Sequence, residues 1–302
     1  MISRLRNEIP DRIKGHFPLA SYTTMGVGGS AECFVTPLYL QDISLIQKYR
    51  SGEGCPVNVI GGGSNLILLG HFLPGLVIST LAMRQINLEG SFPKKEIVCE
   101  AGLPLKSLLR RSISEGLSGL EFAMGIPGTL GGALYGNAGV QGLSVSEVIS
   151  WVEVVKPGGT LVRLEKKDIE WGYRYSSLGH SGDIIYRCGL SLVPEAPEKI
   201  RENCRYWWKK RSLQPYADRS AGCIFKNPEK YSAGWLLEQC GCKGIRKGDA
   251  MVSERHANFI INLGHAVSED VLWLIRECRM RVHEKTGIML ELEVRLIGNE
   301  NF

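Results

Sequence analysis

The sequence predicts an α+β protein built from two or three domains. Three observations carry this reading. At 302 residues the chain is too long for one ordinary core, since a domain takes roughly 100–200 residues. Short apolar runs separated by glycine-rich turns fill the first two thirds, and the last third is rich in helix-forming amphipathic sequence. Hydrophobic residues at 44% and charged residues at 22% are the proportions of a globular chain, not of a disordered or fibrous one.

The runs AECFVTP (31–37), VNVIGGGSNLIL (57–68) and GLVIST (75–80) have the apolar, β-branched character of strands. Between the first two, Ile43, Leu45 and Ile46 recur at helical spacing within 41–54, and Ser51-Gly52 supplies a stop, so a small β-α-β unit is expected. From about 85 to 193 the pattern becomes strands and turns: KEIVCEAG (95–102), VISWVEVVKPGGTLVRL (148–164) and DIIYRCGLSLVP (183–194), interrupted by an apolar helix over 104–120. Pro157-Gly158-Gly159 marks a hairpin turn in the second of these. The remainder opens with a helix over 198–212 and continues through SAGWLLEQCG and HANFIINLG. An amphipathic helix follows over 268–287, with Ser268 as its cap and Gly287 as its end, and the strand LELEVRLIG (290–298) closes the chain. No internal repeat is visible.

A net charge of +5 is too small to indicate nucleic-acid binding, although it favours an anionic small molecule. The cluster YWWKKR (206–211) mixes stacking rings with cations; the expectation is aromatics packed under a helix with solvated cations, and no nucleic-acid partner. Nine cysteines, an odd number without CxxC pairs and with no signal-peptide pattern at the start of the chain, suit the reduced thiols of a cytoplasmic protein. Cys240 and Cys242 are spaced too closely for a usual zinc site, so no metal is expected. No apolar run approaches the ~20 residues of a membrane-spanning helix.

Two glycine clusters bear on chemistry. VNVIGGGSNLIL places three glycines and Ser64-Asn65 directly after a strand, where backbone N–H groups can approach phosphate oxygens with no Cβ in the way. It lacks the lysine of a P-loop and the spacing of a dinucleotide fingerprint, and it fits a tight strand-to-strand turn equally well. GIPGTLGGALYGNAG (125–139) is more demanding. Six glycines in fifteen residues exceed what turns alone require, which points to a backbone lying against a cofactor pyrophosphate.

With these loops, seven motifs occur in order: YTTMGVGG (22–29), GGGSNLIL (61–68), GIPGTLGGALYGNAG (125–139), YRYS (173–176), GCIFKNP (222–228), HANFIIN (256–262) and LELEVRLIG (290–298). In this the chain resembles the UDP-N-acetylenolpyruvoylglucosamine reductases. The resemblance implies an FAD-binding fold of the vanillyl-alcohol-oxidase type in two subdomains, 1–80 and 81–200, with a C-terminal α+β substrate domain, 201–302. It also implies NADPH as reductant and the enolpyruvyl ether of a UDP-sugar as small-molecule substrate, in peptidoglycan precursor synthesis. A monomer or weak oligomer in the cytoplasm is expected. Neither glycine loop contains a histidine, so the flavin is expected to be held non-covalently. This argues against the alternative, an FAD-dependent carbohydrate or alcohol oxidase of the same fold.

Carried over by motif, the cofactor-binding positions are Tyr22, Thr23 and Thr24; Gly61, Gly62, Gly63, Ser64 and Asn65; Gly125, Ile126, Pro127, Gly128 and Thr129; and Gly131, Gly132, Asn137, Ala138 and Gly139. The catalytic positions are Arg174, Cys223 and Glu293. A planar guanidinium suits a carboxylate on which charge develops, and a buried Glu can share a proton with it. A thiol with a reference pKa of about 8.5 releases a proton far more readily than a serine hydroxyl. Glu291 shares the face of Glu293 by the period of two, which leaves either carboxylate a candidate. Lys226, Asn227, His256 and Arg295 are candidates for the substrate. Cys223 stands where most of the family has serine, and the chain resembles the shorter subclass that lacks an extra tyrosine-bearing loop.

Overall fold

The computed structural model describes residues 2–50, 54–89, 96–212 and 214–298. Within these the chain divides into two compact units that do not follow sequence order. The first comprises the residues up to Gly15, Cys33–Gly62 and Gly75–Arg211. The second comprises His16–Glu32, Gly63–Pro74 and the residues from Ser212 onward.

In the first unit a five-stranded antiparallel sheet runs in the order Leu161–Glu165, Ile149–Val155, Ile184–Ser191, Glu96–Glu100, Ile86–Glu89. The expected hairpin is present, closed where the Lys156 N–H donates to the Thr160 carbonyl at 2.9 Å. Alternation sorts its side chains. Val152 and Val154 enter a core shared with Leu105 and Leu108 of the Leu105–Ser114 helix and with Ile200 and Cys204 of the Pro197–Arg211 helix. On the opposite face Trp151 lies under Arg163, 4.2 Å from the ring centroid, and Glu153 pairs with Arg187 at 2.6 Å.

A second sheet runs in the order Ile13–Pro18, Ser30–Val35, Phe72–Ser79, Val57–Ile60, the last two strands parallel. The helix Leu40–Arg50 links Ser30–Val35 to Val57–Ile60, as expected of a β-α-β unit. Ile43 and Ile46 meet Val35, Leu76 and Ile78 in its core. The predicted Ser51-Gly52 stop and the first residue of the 95–102 strand lie outside the described residues.

The second unit carries a four-stranded antiparallel sheet, in the order Arg219–Cys223, Phe259–Asn262, Ala250–Val252, Arg246–Lys247, and the helices Ala233–Gln239 and Ser268–Thr286. Leu66–Leu68 pairs in parallel with Arg295–Ile297. Ile67 and Leu69 therefore share a core with Val271, Leu274 and Ile275.

Three sequence expectations need correction. The helix expected over 104–120 stops at Ser114, because Gly116 takes φ +64° and Leu117–Ser118 pairs with Val193–Pro194. Ser268 is the first helical residue instead of the cap, and its hydroxyl accepts the Gly70 N–H at 3.2 Å. The closing strand is split: only Arg295–Ile297 is a regular strand, and Leu292 makes a single bridge to Phe225.

Candidate active site

In the first unit Gly61 and Gly62 pack closely against Gly128 and Thr129. A Cβ on Gly61 would collide with the Thr129 hydroxyl, and one on Gly62 would lie 2.8 Å from the Gly128 Cα. The 125–139 loop is held against the neighbouring helix, where the Leu105 N–H donates to the Gly128 carbonyl and the Leu130 N–H to the Leu103 carbonyl. It then forms a short helix, Leu130–Tyr135, capped by Thr129. Inside it the Gly131 N–H bonds the Ala101 carbonyl and the Gly132 N–H bonds Thr129 Oγ1, so these two glycines serve close packing within the protein. Among the described residues the N–H groups of Gly62, Gly63, Ser64 and Gly128 make no hydrogen bond. Amides without a protein partner in glycine-rich loops suit the oxygen-rich phosphates of a dinucleotide such as FAD.

Arg174 is tied to the same loop. It occupies a two-residue hairpin turn between Trp171–Gly172 and Tyr175–Ser176, with φ +54°, a left-handed conformation that side-chain-bearing residues rarely adopt. Its Nη1 donates to the Gly139 carbonyl at 3.0 Å and its guanidinium lies 5.2 Å from the Tyr173 ring centroid. Asn137, itself at φ +42°, donates to the Gly172 carbonyl at 2.9 Å, and Ser176 Oγ donates to the Tyr135 carbonyl at 2.9 Å. Three bonds therefore fix the YRYS turn on the glycine loop. The Ala138 N–H is taken by the Ala133 carbonyl. Gly125 has φ +79° and Pro127 is exposed, while the Ile126 N–H returns to the Ala123 carbonyl.

In the second unit Cys223 and Glu293 lie on neighbouring segments. The pairing of Arg219–Cys223 with Phe259–Asn262 slips between Ser220 and Cys223, with Gly222 at φ +77°; such a bulge re-aims the residue that follows it. Cys223, half-buried, stands opposite Phe259. One residue on, the chain pairs with 291–293: the Glu293 N–H donates to the Ile224 carbonyl and the Lys226 N–H to the Glu291 carbonyl, both at 2.8 Å. The SN pair of the first glycine motif joins them, because Asn65 Nδ2 donates to the Glu293 carbonyl at 3.1 Å and the Ser64 carbonyl faces Gly222. The Arg295 N–H donates to the Asn65 carbonyl, and the Thr24 N–H donates to the Gly63 carbonyl. The Thr24 hydroxyl donates to the Ser220 carbonyl at 2.6 Å. The Thr23 hydroxyl serves its own turn, accepting the Gly26 N–H at 3.1 Å, and Tyr22 packs edge-on against Phe17.

The two glutamates separate clearly. Glu293 is half-buried, whereas the Glu291 side chain is 77% exposed and faces Lys226 Nζ at 3.4 Å. Asn227 Oδ1 accepts the N–H of Ala233, the first residue of the helix that Ser232 caps. His256 packs edge-on against Phe259 and against Gly234, and burial holds its pKa below the usual imidazole value. The HANF motif contains a residue that sequence reading passed over. Asn258 bonds both backbone groups of Phe225; nothing in the local pattern distinguishes it from an ordinary strand-flanking asparagine.

These arrangements agree with the comparisons to known proteins. The family described as UDP-N-acetylenolpyruvoylglucosamine reductase, C-terminal domain, matches residues 214–297, and the FAD binding domain family matches 31–165. A UDP-N-acetylenolpyruvoylglucosamine reductase of Synechococcus sp. (strain JA-3-3Ab) is 42% identical, covering 95% of this chain and 92% of the relative. One from Moorella thermoacetica is 40% identical over 93% of this chain and 92% of its own length. The crystal structure of UDP-N-acetylenolpyruvylglucosamine reductase from Thermus caldophilus superposes with TM-score 0.82 at 36% identity, covering 95% of this chain and 99% of that one. A glucose dehydrogenase, Phl p 4.0202, shares the fold alone, at TM-score 0.51 and 17% identity over 65% of this chain and 44% of its own. Sequence identity of this depth along nearly the whole chain, joined to the two packed glycine loops, places the protein in the UDP-N-acetylenolpyruvoylglucosamine reductase family.

Proposed function

We propose that this protein reduces UDP-N-acetylenolpyruvoylglucosamine to UDP-N-acetylmuramate with NADPH as reductant, in peptidoglycan precursor synthesis. The observation that carries the reading is the pairing of 224–226 with 291–293, which sets Cys223 and Glu293 on adjacent segments beside Ser64-Asn65. FAD, when bound, supplies a two-electron carrier between NADPH and substrate, held by Gly61–Asn65, 125–129 and the Tyr22–Thr24 turn. Arg174 presents a planar, permanently charged donor to the substrate carboxylate. Glu293 steadies the same carboxylate as electron density flows towards it, and Cys223 delivers the proton to the neighbouring carbon. Lys226 and Arg295 offer cations to the UDP phosphates, and Asn227 and His256 are the further residues proposed for the substrate.

The three sequence segments 1–80, 81–200 and 201–302 are proposed as two flavin-binding parts and a substrate part. Nine cysteines without CxxC pairs suit a reducing cytoplasm. A monomer or weak oligomer with no nucleic-acid partner completes the reading. No helix of the described residues is long and apolar enough to cross a membrane.

An anaerobic assay tests the reaction. NADPH should bleach the bound flavin, and only the enolpyruvyl UDP-sugar should rapidly restore the yellow colour. Reduced flavin that persists in its presence refutes the reading. Denaturation should release free flavin; flavin retained on the chain would favour the oxidase alternative.

A further inference from the structure

The segment that carries Cys223 is held by an unusual device. Asn258 is 2% exposed. Its Oδ1 accepts the Phe225 N–H at 2.9 Å, its Nδ2 donates to the Phe225 carbonyl at 2.8 Å, and its own carbonyl accepts the Ile224 N–H at 2.9 Å. In a continuing antiparallel ladder a backbone N–H and C=O would face Phe225. Here one side-chain amide supplies both, and the ladder with Phe259–Asn262 can end without leaving polar groups unmet. The other edge of Ile224–Lys226 is thereby left to 291–293. One buried carboxamide therefore sets the lie of the short segment that has Cys223 at its start and Glu293 bonded across it. A purely apolar residue could fill the space, but it would leave the N–H and C=O of Phe225, itself 1% exposed, without partners.

We propose that Asn258 is a positioning residue: its amide fixes Cys223 relative to Glu293 for the protonation of substrate. This rests on the reaction proposed above. A misplacement of about 1 Å at a reacting group costs on the order of a hundredfold in rate. The half-reaction that uses Cys223 and Glu293 is therefore the one that depends on Asn258, whereas flavin reduction by NADPH does not.

The test compares holoenzymes by anaerobic rapid mixing. In Asn258→Ala, reduction by NADPH should stay within about twofold of wild type, while reoxidation by the enolpyruvyl UDP-sugar falls about a hundredfold. Asn258→Asp adds a signature that general loosening would not produce. The ionised carboxylate keeps the acceptor for the Phe225 N–H but has no donor for its carbonyl. The protonated acid restores both, and burial raises the pH at which it forms. Reoxidation by Asn258→Asp, taken as a ratio to wild type, should therefore rise about tenfold as pH falls from 8 to 5.5. The titratable groups around this position are His256, whose Nδ1 accepts the Asn258 N–H, with Lys243 and Glu238 acting on it. Cys223 lies opposite Phe259, Glu293 across Ile224, and the Lys226–Glu291 pair beyond. All are present in both proteins and cancel in the ratio.

A wild-type rate of reoxidation in Asn258→Ala, an equal slowing of both half-reactions, or a ratio that is flat with pH would each overturn the proposal. If Asn258→Ala fails to retain flavin, the ratio for Asn258→Asp decides alone. Failure of wild type itself to be reoxidised by the UDP-sugar would instead refute the reaction, which keeps the two failures apart.

Discussion

Arg174→Gly should leave the protein nearly as stable as before and almost inactive. Arg174 sits at φ +54°, a conformation costing a side-chain-bearing residue about 1–2 kcal/mol that glycine adopts freely. Against that relief stands the bond from Nη1 to the Gly139 carbonyl at 3.0 Å, made by a charged but half-exposed group and contributing about 1.5 kcal/mol, the low end for a charged donor. The more flexible unfolded chain takes back up to about 1 kcal/mol more. These terms cancel to within about 1 kcal/mol, so the melting temperature should move by no more than about 4 °C. Catalysis has no such compensation. Losing a charged donor aimed at developing negative charge costs on the order of 10²–10³ in rate, read as reoxidation of reduced flavin by the UDP-sugar. Arg174→Lys keeps the charge and the strained turn without the planar fork, and should fall between the two. Reoxidation of Arg174→Gly at the wild-type rate would remove Arg174 from the chemistry. A fall of more than about 8 °C would show that the turn depends on the side chain itself.

Three further outcomes are expected. Cys223→Ser should retain substantial turnover, whereas Cys223→Ala should still be reduced by NADPH but stall when substrate is added; full activity in the alanine variant returns Cys223 to a packing role. Glu293→Gln should slow reoxidation at least about tenfold, while Glu291→Gln, removing a carboxylate that is mostly in solvent, should change turnover less than twofold; the reverse order would transfer the role to Glu291. Gly62→Ala sets a Cβ 2.8 Å from the Gly128 Cα, an overpacking of about 1–3 kcal/mol. Flavin retention on a desalting column should drop in proportion, and undiminished retention would show that the two loops do not jointly hold the cofactor.

Where a feature is local, the sequence alone makes it visible. Pro157-Gly158-Gly159 announces its hairpin, and Ile43, Leu45 and Ile46 announce their helix. What escapes depends on residues far away in the chain. Ser268 has the chemistry of a cap, but its hydroxyl is taken by Gly70. LELEVRLIG has the pattern of one strand, but its two halves take different partners, Phe225 on one side and Leu66–Leu68 on the other. Cys223, Arg174 and Glu293 are legible only through the resemblance of their motifs to those of a family. The amide of Asn258 has no one-dimensional signature at all, because its meaning lies in which backbone it faces. The separation of Glu291 from Glu293 is likewise hidden from a period-two pattern that treats them as equivalent.

The discontinuity of the second unit bears on how the chain is made. Met25, Val27, Ile67 and Leu69 belong to a core whose other members begin at Ala221. The early segments leave the ribosome with their apolar faces bare, and about 150 residues of intervening chain must follow. At about 5–20 residues per second that interval lasts on the order of 10 s. During it Leu66–Leu68 is an unpaired strand, a template for mispairing with other chains. The residues of the first unit are all synthesised by Arg211 and are free to fold in that time. Completion of the second waits for the last strand, Arg295–Ile297, which a prematurely stopped chain never supplies. Truncated products should therefore expose strand edge and apolar surface together, which marks them for chaperones and proteolysis.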